Sequence, residues 1–315
     1  MENTLNKPRI LGIVGATASG KTSLSLQLAD ALHGEILCLD FMQIYRRMDI
    51  GTAKPTAAER AAAPHHMLDI LEPTASYSVA EYVEAAHAVI RQILDRSHVP
   101  ILVGGTGLYL RGLSLPMDYG GLPSDPLLRS ALQSELDSSG APALHARLAA
   151  IDPETAARLH PNDTRRVIRA LEIYQLTGEP MSAHRVPQAA DAPYHFLLYA
   201  IDWPRSELHA RINLRVDQMM ETGLLDEVRS LLDSGVTADM QSMQGLGYKE
   251  LAPVILNRAA LPQAVEQIKT GTRNYARRQL IWFRKDQRVH WLPSDQLRNA
   301  KELIITQWKD PKSWI

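Results

Sequence analysis

Residues Gly15, Ala16, Thr17, Ala18, Ser19, Gly20, Lys21 and Thr22 follow the pattern G-x-x-x-x-G-K-[ST]. This pattern constrains the fold because it works only at one kind of junction, where a buried strand ends and a helix begins. The flanking sequence supplies both. Ile10, Leu11, Gly12, Ile13 and Val14 make an apolar run suited to a buried strand. Residues 23–32 lack Gly and Pro and place Leu24, Leu28 and Leu32 on one helical face. The backbone N–H groups of such a loop wrap a di- or triphosphate, and the following helix adds its positive end. Lys21 supplies a mobile cation, and Thr22 can hold Mg²⁺. The motif leaves open which phosphorylated molecule binds.

Around this junction strands and helices alternate, which predicts an α/β fold with a mostly parallel sheet flanked by helices. Residues 35–39 read as a strand ending at Asp40. Ser78, Val79, Ala80 and Glu81 form a capping box that opens a helix through Arg96. Residues 99–103 read as a further strand, followed directly by Gly104, Gly105, Thr106 and Gly107. Ligands in open α/β sheets collect at the carboxyl ends of strands, so Asp40, the phosphate loop and Thr106 are expected on one rim. From about Leu115 the composition shifts: Pro116, Gly120, Gly121, Pro123 and Pro126 read as a hinge. Short helices follow at residues 126–136, 142–150, 153–159 and 164–176. The expected organisation is a core over 1–114, an all-helical insertion domain over 115–192, and core completion over 193–315. That last part carries a strand at 194–201, a helix at 206–232 broken at Gly223, an amphipathic helix at 262–282 and a strand at 289–292.

With a net charge of −1, a nucleic-acid reader of this composition must concentrate its positive charge locally. Two segments do so. Arg165, Arg166 and Arg169 cluster together, and Arg273, Arg277, Arg278, Arg284, Lys285 and Arg288 interleave with Tyr275, Trp282 and Phe283. Taken alone, each cluster reads more readily as a solvated helix face. No run approaches ~18 apolar residues, so no membrane span is expected. The single cysteine, Cys38, excludes an internal disulfide and suits a reducing compartment. The opening residues 1–8 lack the charged-then-apolar order of a signal peptide, and a cytoplasmic protein is expected. Asp40 can be a Mg²⁺ ligand, a turn cap or a general base, the first two readings preceding the third. Gln43 presents donor and acceptor together, as a base edge requires. The run from Met48 to Pro55 carries no mechanism derivable from its residues.

In combination these segments match a family. The phosphate loop, Asp40-x-x-Gln43-x-Tyr45 and the run from Met48 to Pro55 come first in order. Gly104-Gly105-Thr106-Gly107-Leu108-Tyr109 and Asn162-Asp163-x-x-Arg166-x-x-Arg169-Ala170-Leu171-Glu172 follow. Gln244-x-x-Gly247-Tyr248-x-Glu250 and Arg277-Arg278-Gln279-x-x-Trp282-x-Arg284 complete the set. From about residue 9 to residue 292 the chain resembles the tRNA dimethylallyltransferases (tRNA isopentenyltransferases) of bacterial type.

The resemblance implies a P-loop NTPase-like fold and a prenyl transfer. The dimethylallyl group of dimethylallyl diphosphate moves to the exocyclic N6 amine of the adenosine at tRNA position 37, beside the anticodon. On this reading Gly15, Ala16, Thr17, Ala18, Ser19, Gly20, Lys21 and Thr22 bind the diphosphate, and Thr22 holds Mg²⁺. Asp40, Thr22 and Arg211 are the catalytic residues, Asp40 as the base and Arg211 on the leaving group; without the match Arg211 reads as a surface helix residue. The anticodon stem-loop is implied to contact Asp40, Phe41, Met42, Gln43, Thr106, Arg129, Arg165, Arg166, Val167, Ile168, Arg169, Gln244, Arg273, Arg277 and Arg278.

Two positions depart from the family pattern: Phe41 stands where Ser is usual, and Cys38 replaces a polar Ser or Asn. The expected state is a monomer. An adenylate isopentenyltransferase would run the same chemistry on free nucleotide, with no use for the insertion or the arginine-rich late helix. A nucleotide-kinase-type phosphotransferase and a non-catalytic RNA-binding protein are the readings from other classes.

Overall fold

The structure is a computed structural model that describes residues 7–115, 125–184 and 192–310. The chain divides into two compact units, Met1–Ser114 with Ala192–Ile315, and Leu115–Asp191. The predicted hinge at Pro116, Gly120, Gly121 and Pro123 lies outside the described residues.

The first unit is built on six strands: β1 (Arg9–Val14), β2 (Gly34–Leu39), β3 (His65–His66), β4 (Val99–Gly104), β5 (His195–Asp202) and β6 (Val289–Pro293). They lie in the order β3-β2-β4-β1-β5-β6, and every pairing is parallel. Parallel sheets need both faces covered, which explains why β1 and β2 read as near-continuous apolar runs rather than alternating ones.

On one face Ile10, Leu37, Leu39, Leu102 and Leu198 meet α3 (Val79–Asp95) and α4 (Gly107–Ser114). On the other, Leu11, Ile13, Ile36, Ile101 and Tyr199 meet α1 (Lys21–Leu32) and α12 (Leu297–Lys309). The remaining helices of this unit are α2 (Ala57–Ala62), α8 (Arg205–Glu221), α9 (Leu224–Asp233), α10 (Tyr248–Ile255) and α11 (Leu261–Arg284). The capping box at Ser78 is present: the Ser78 hydroxyl accepts from Glu81 N at 3.2 Å, and the Glu81 carboxylate accepts from Ser78 N at 2.7 Å. Gly223, with φ 101°, divides α8 from α9 as its position implied.

Strand order also decides where the site must be. From β1 the chain crosses to β2, two positions away, then returns to fill the gap with β4; β5 flanks β1 on the other side. The carboxyl end of β1 is therefore the point where connections diverge, and a crevice opens there. The phosphate loop occupies that crevice.

The second unit is helical, with α5 (Pro126–Ile151), α6 (Pro153–Arg158) and α7 (Thr164–Thr177) packed around Leu132, Leu144, Leu148, Val167, Ile168 and Leu171. The two helices predicted at 126–136 and 142–150 are both present within α5, separated by a non-helical break at Gly140 (φ 81°, ψ 161°) ahead of Pro142. Helices α2, α4, α10 and α12 and the short β3 were not foreseen. Among the described residues no helix is long and apolar enough to cross a membrane.

At the amino end of β2, Glu35 is 4% exposed by side chain and pairs with Arg96, His66 and His98 at 2.6–2.9 Å. The Arg96 bond leads in holding its carboxyl down to about 2, against the cost of burial. A depressed carboxyl contributes stability above its ordinary pKa and loses it as pH falls through the folded value. Glu35→Gln should cost about 2 kcal/mol in urea unfolding at pH 7, and the deficit should shrink between about pH 4.5 and pH 2.

Candidate active site

The phosphate loop is shaped by its glycines and tied down from the far end of the chain. Gly15 (φ 114°) and Gly20 (φ 99°) take left-handed conformations that turn the backbone tightly, and Gly20 caps α1. Arg211 Nε donates to Ala18 O at 2.8 Å and Trp203 Nε1 donates to Ser19 O at 2.9 Å. Thr17 N donates to the Gln279 side chain at 2.9 Å. Ala16 and Ala18 pack against Leu208 and Ile212 of α8 and Ala276 of α11. Lys21 Nζ donates to Ala16 O at 2.6 Å and Gly15 O at 3.2 Å. The Ser19 hydroxyl is buried with no hydrogen-bond partner among the described residues. Loop carbonyls are thus largely occupied, which leaves a polar loop suited to an anion.

The positive charge here is larger than sequence reading anticipated. Arg215 lines the same cavity as Lys21, one helical turn after Arg211. Spacing of four residues on α8 was the available signal for it. Burial first, then Arg215, lowers Lys21 to about 8, with Asp40 acting in the opposite sense. Arg215 is itself lowered by burial and by Arg211. Such crowding disfavours the charged forms of Lys21 and Arg215 until an anion joins them. Arg211 stacks on Trp203, its guanidinium 4.3 Å from the ring centre.

The cavity measures about 1140 Å³ and reaches from this loop to Asp40. That is more than one diphosphate needs and has room for a second reactant. Met42, Ile50, Val216, Met219, Leu224 and Ile268 give it an apolar wall. Asp40 Oδ1 accepts from Met42 N at 2.8 Å and Gln43 N at 3.4 Å, so the turn-cap reading describes one of its oxygens. Burial raises the Asp40 carboxyl, opposed by those amides and by Lys21. Across the rim, Thr106 Oγ1 accepts from Phe41 N at 3.2 Å. Tyr275 of α11 lines the same wall, its phenol pushed up by burial and by Asp40.

Gln43 is engaged within the protein. Its amide donates to Thr52 O and Ala53 O at 3.0 and 3.1 Å, and Cys38 Sγ donates to its Oε1 at 3.1 Å. These bonds explain the run from Met48 to Pro55, whose purpose its residues alone concealed. The Lys54 ammonium is buried with Asp49, Asp69 and Tyr45 O. The Glu227 carboxylate accepts the amides of Asp49, Ile50 and Gly51 at 2.7–3.1 Å and the Tyr248 hydroxyl at 2.6 Å. The run is a scaffold that seats the floor of the cavity.

The remaining candidates separate by exposure. Arg277 and Arg278 are exposed on α11, whereas Arg273 donates to Asn213 Oδ1 at 2.6 Å. Gln244 is exposed, lines the cavity and donates to Ala238 O at 2.8 Å. In the helical unit Arg165 and Arg166 are exposed, and Arg166 pairs with Asp163 at 2.8 Å. Arg129 and Arg169 both bond Glu172, which is fully buried. Val167 and Ile168 require a correction. At 1% and 4% exposed they pack in the unit's core, so their side chains hold α7 in place and have no surface to offer RNA. Met42, 7% exposed, packs mostly inward as well.

Among the described residues no group of three His, Cys, Asp or Glu side chains could cage a metal ion. Thr22 lines the cavity next to Lys21. One hydroxyl beside an anion-binding loop fits Mg²⁺, which keeps its waters and binds largely through substrate phosphates.

A phosphate loop at the switch point of a six-stranded parallel sheet, facing a carboxylate across a partly apolar cavity, defines a P-loop α/β protein built for a phosphorylated substrate with an apolar part. A family model described as IPP transferase matches residues 43–286. The chain belongs to the IPP transferase family. It is 46% identical over 308 residues to the tRNA dimethylallyltransferase of Bacillus subtilis, covering 96% of this chain and 97% of that one. It is 45% identical over 303 residues to the tRNA dimethylallyltransferase of Pelotomaculum thermopropionicum, covering 96% of each. The crystal structure of the tRNA isopentenylpyrophosphate transferase of Bacillus halodurans matches at 40% identity and a TM-score of 0.73, over 98% of both chains. A eukaryotic dimethylallyltransferase, captured acting on tRNA, matches at 28% identity and a TM-score of 0.82 over 97% of this chain and 80% of that one.

Lys21 is charged below about pH 8 in the free protein. The affinity for methyl diphosphate, itself fully ionised by then, should fall as pH rises above about 8, approaching tenfold per pH unit. Calorimetric titration of the wild type against Lys21→Arg, whose charge persists, tests this; a flat wild-type profile refutes it.

Proposed function

We propose that this protein transfers the dimethylallyl group of dimethylallyl diphosphate to the exocyclic N6 amine of the adenosine at tRNA position 37, releasing diphosphate. The observation that carries this reading is the one cavity lined both by Lys21 with its loop and by Asp40, with apolar side chains in its wall. Membership of a family whose relatives are named for this activity supports it.

The diphosphate lies against the amides of the loop, with Lys21, Arg211 and Arg215 around it. Negative charge grows on the bridging oxygen as the C1–O bond breaks, and fixed cations stabilise that charge more in the transition state than before it. Thr22 would hold Mg²⁺, which when bound would supply further charge neutralisation for the leaving group. The apolar wall receives the five-carbon group and excludes water, which would otherwise compete for the carbon.

The acceptor amine is a poor nucleophile because its lone pair is delocalised into the purine. Asp40 Oδ1 is fixed by two backbone amides, leaving Oδ2 to accept a hydrogen of N6. As nitrogen bonds to C1, that proton passes to Asp40. A carboxyl raised by burial is a stronger base than a solvated one. The adenosine must leave the loop stack to reach this depth. Exposed Arg165, Arg166, Arg277 and Arg278 hold the RNA backbone, with Arg129 and Arg169 oriented by Glu172. The enzyme acts as a cytosolic monomer.

Asp40→Ala should lower kcat by about 10²–10⁴ while tRNA affinity changes little, because it removes the proton acceptor. Mass spectrometry of an anticodon stem-loop incubated with enzyme, dimethylallyl diphosphate and Mg²⁺ reads the outcome; near-normal turnover sinks the base assignment. ATP consumption without alkylated RNA would instead favour a phosphotransferase. Arg277→Ala should weaken many tRNAs alike and reduce the slope of log affinity against log salt by about 1. An unchanged slope would place Arg277 away from phosphate.

A further inference from the structure

The rim beside Asp40 exposes aromatic surface that internal packing does not require. Phe41 follows the carboxylate directly, lines the cavity and is 37% exposed. Its amide is anchored to Thr106 Oγ1. Trp282 is also 37% exposed and lies over the next residue, Gly107, where an added Cβ would come within 2.2 Å of the indole Cδ1 and Nε1. Only glycine allows that approach. The backbone of Phe41 and the indole of Trp282 therefore meet the same short stretch of chain, at Thr106 and Gly107. Trp282 stands seven, four and three residues after Tyr275, Arg278 and Gln279, which all line the cavity, so it extends their helix face beyond the rim. Leu108 adds exposed apolar area next to Gly107, and Arg277 and Arg278 are exposed on the same helix.

We propose that Phe41 and Trp282 are stacking platforms for the RNA bases that flank the acceptor adenosine, and so form a positioning surface for the RNA substrate. This rests on the tRNA reading above. Drawing one base out of a single-stranded loop strips its neighbours of a stacking partner. Aromatic rings at the mouth of the cavity replace it, whatever the neighbouring base, because every base has a π face. The occupant is RNA because the rim opens into the cavity that holds Asp40 and its helix border carries arginines that complement phosphate. With Phe41 in place of a small polar residue, this chain contributes a ring where the family pattern contributes none.

The test uses an anticodon stem-loop carrying 2-aminopurine immediately 3′ of the acceptor adenosine, titrated with wild type, Phe41→Ala, Trp282→Ala, Phe41→Trp and Trp282→Phe. With wild type the probe stays quenched on binding. With either alanine variant it brightens, and the KM for RNA rises on the order of tenfold, with the change falling on KM rather than kcat. The aromatic replacements restore both readouts, which a merely structural role would not do, and thermal melting confirms folding. Quenching and KM that survive both alanine substitutions overturn the proposal. So does a change in sedimentation alone, which would make the rim a contact between copies, and so does failure of the wild type to bind the stem-loop. Failure to alkylate RNA with quenching intact would count against the function reading alone.

Discussion

The structure depends on holding open a short polypeptide loop whose amides must face an anion. A loop of this kind, left to itself, would close on its own carbonyls. Here the carbonyls of Ala18 and Ser19 are taken by Arg211 and Trp203, and the amide of Thr17 by Gln279. These partners lie far along the chain, so completing the donor site requires the second half of the sheet to be in place. Gln279 also donates to Gly105 O at 3.0 Å, where a side chain at Gly105 could not fit. One buried amide thereby ties the phosphate loop to the loop carrying Thr106.

The acceptor side follows the same logic of distant support. Asp40 is oriented by amides two and three residues on, but the floor beneath it is seated by Lys54, Glu227 and Tyr248. Buried charges of this kind are tolerated because each is paired and bonded on several sides. They hold the cavity in a single geometry, which positioning two reactants demands. Cations and a carboxylate line one cavity within reach of each other's charge, and apolar side chains make up part of the remaining wall. That pairing of charges matches a reaction in which a leaving group gains negative charge while an amine loses a proton.

Much of this was legible in advance. The parallel strands announced themselves as unbroken apolar runs, the capping box at Ser78 started its helix where spacing required, and the glycine pattern of the phosphate loop located the ligand crevice. Less was legible where side chains serve other side chains. The run from Met48 to Pro55 gave no hint of its purpose because its partners, Gln43, Asp69 and Glu227, come from three separate segments. Val167 and Ile168 sit among arginines in sequence but face the opposite side of their helix, inward. Arg215 escaped notice because an arginine on a helix is ordinarily solvated, and only burial of this face makes it part of the site.

What the sequence by itself determined was local: a phosphate-binding turn between strand and helix, a carboxylate at a strand end, arginine-rich helices and the order of motifs that marks the family. Those features depend on periodicity, chirality and the absence of side chains at glycine, all properties of neighbouring residues. What only the tertiary structure decided was company and exposure. Which carbonyls are tied off, which carboxylate is buried and which ring remains in solvent all depend on strand order, because the sheet brings together residues that the chain keeps hundreds of positions apart.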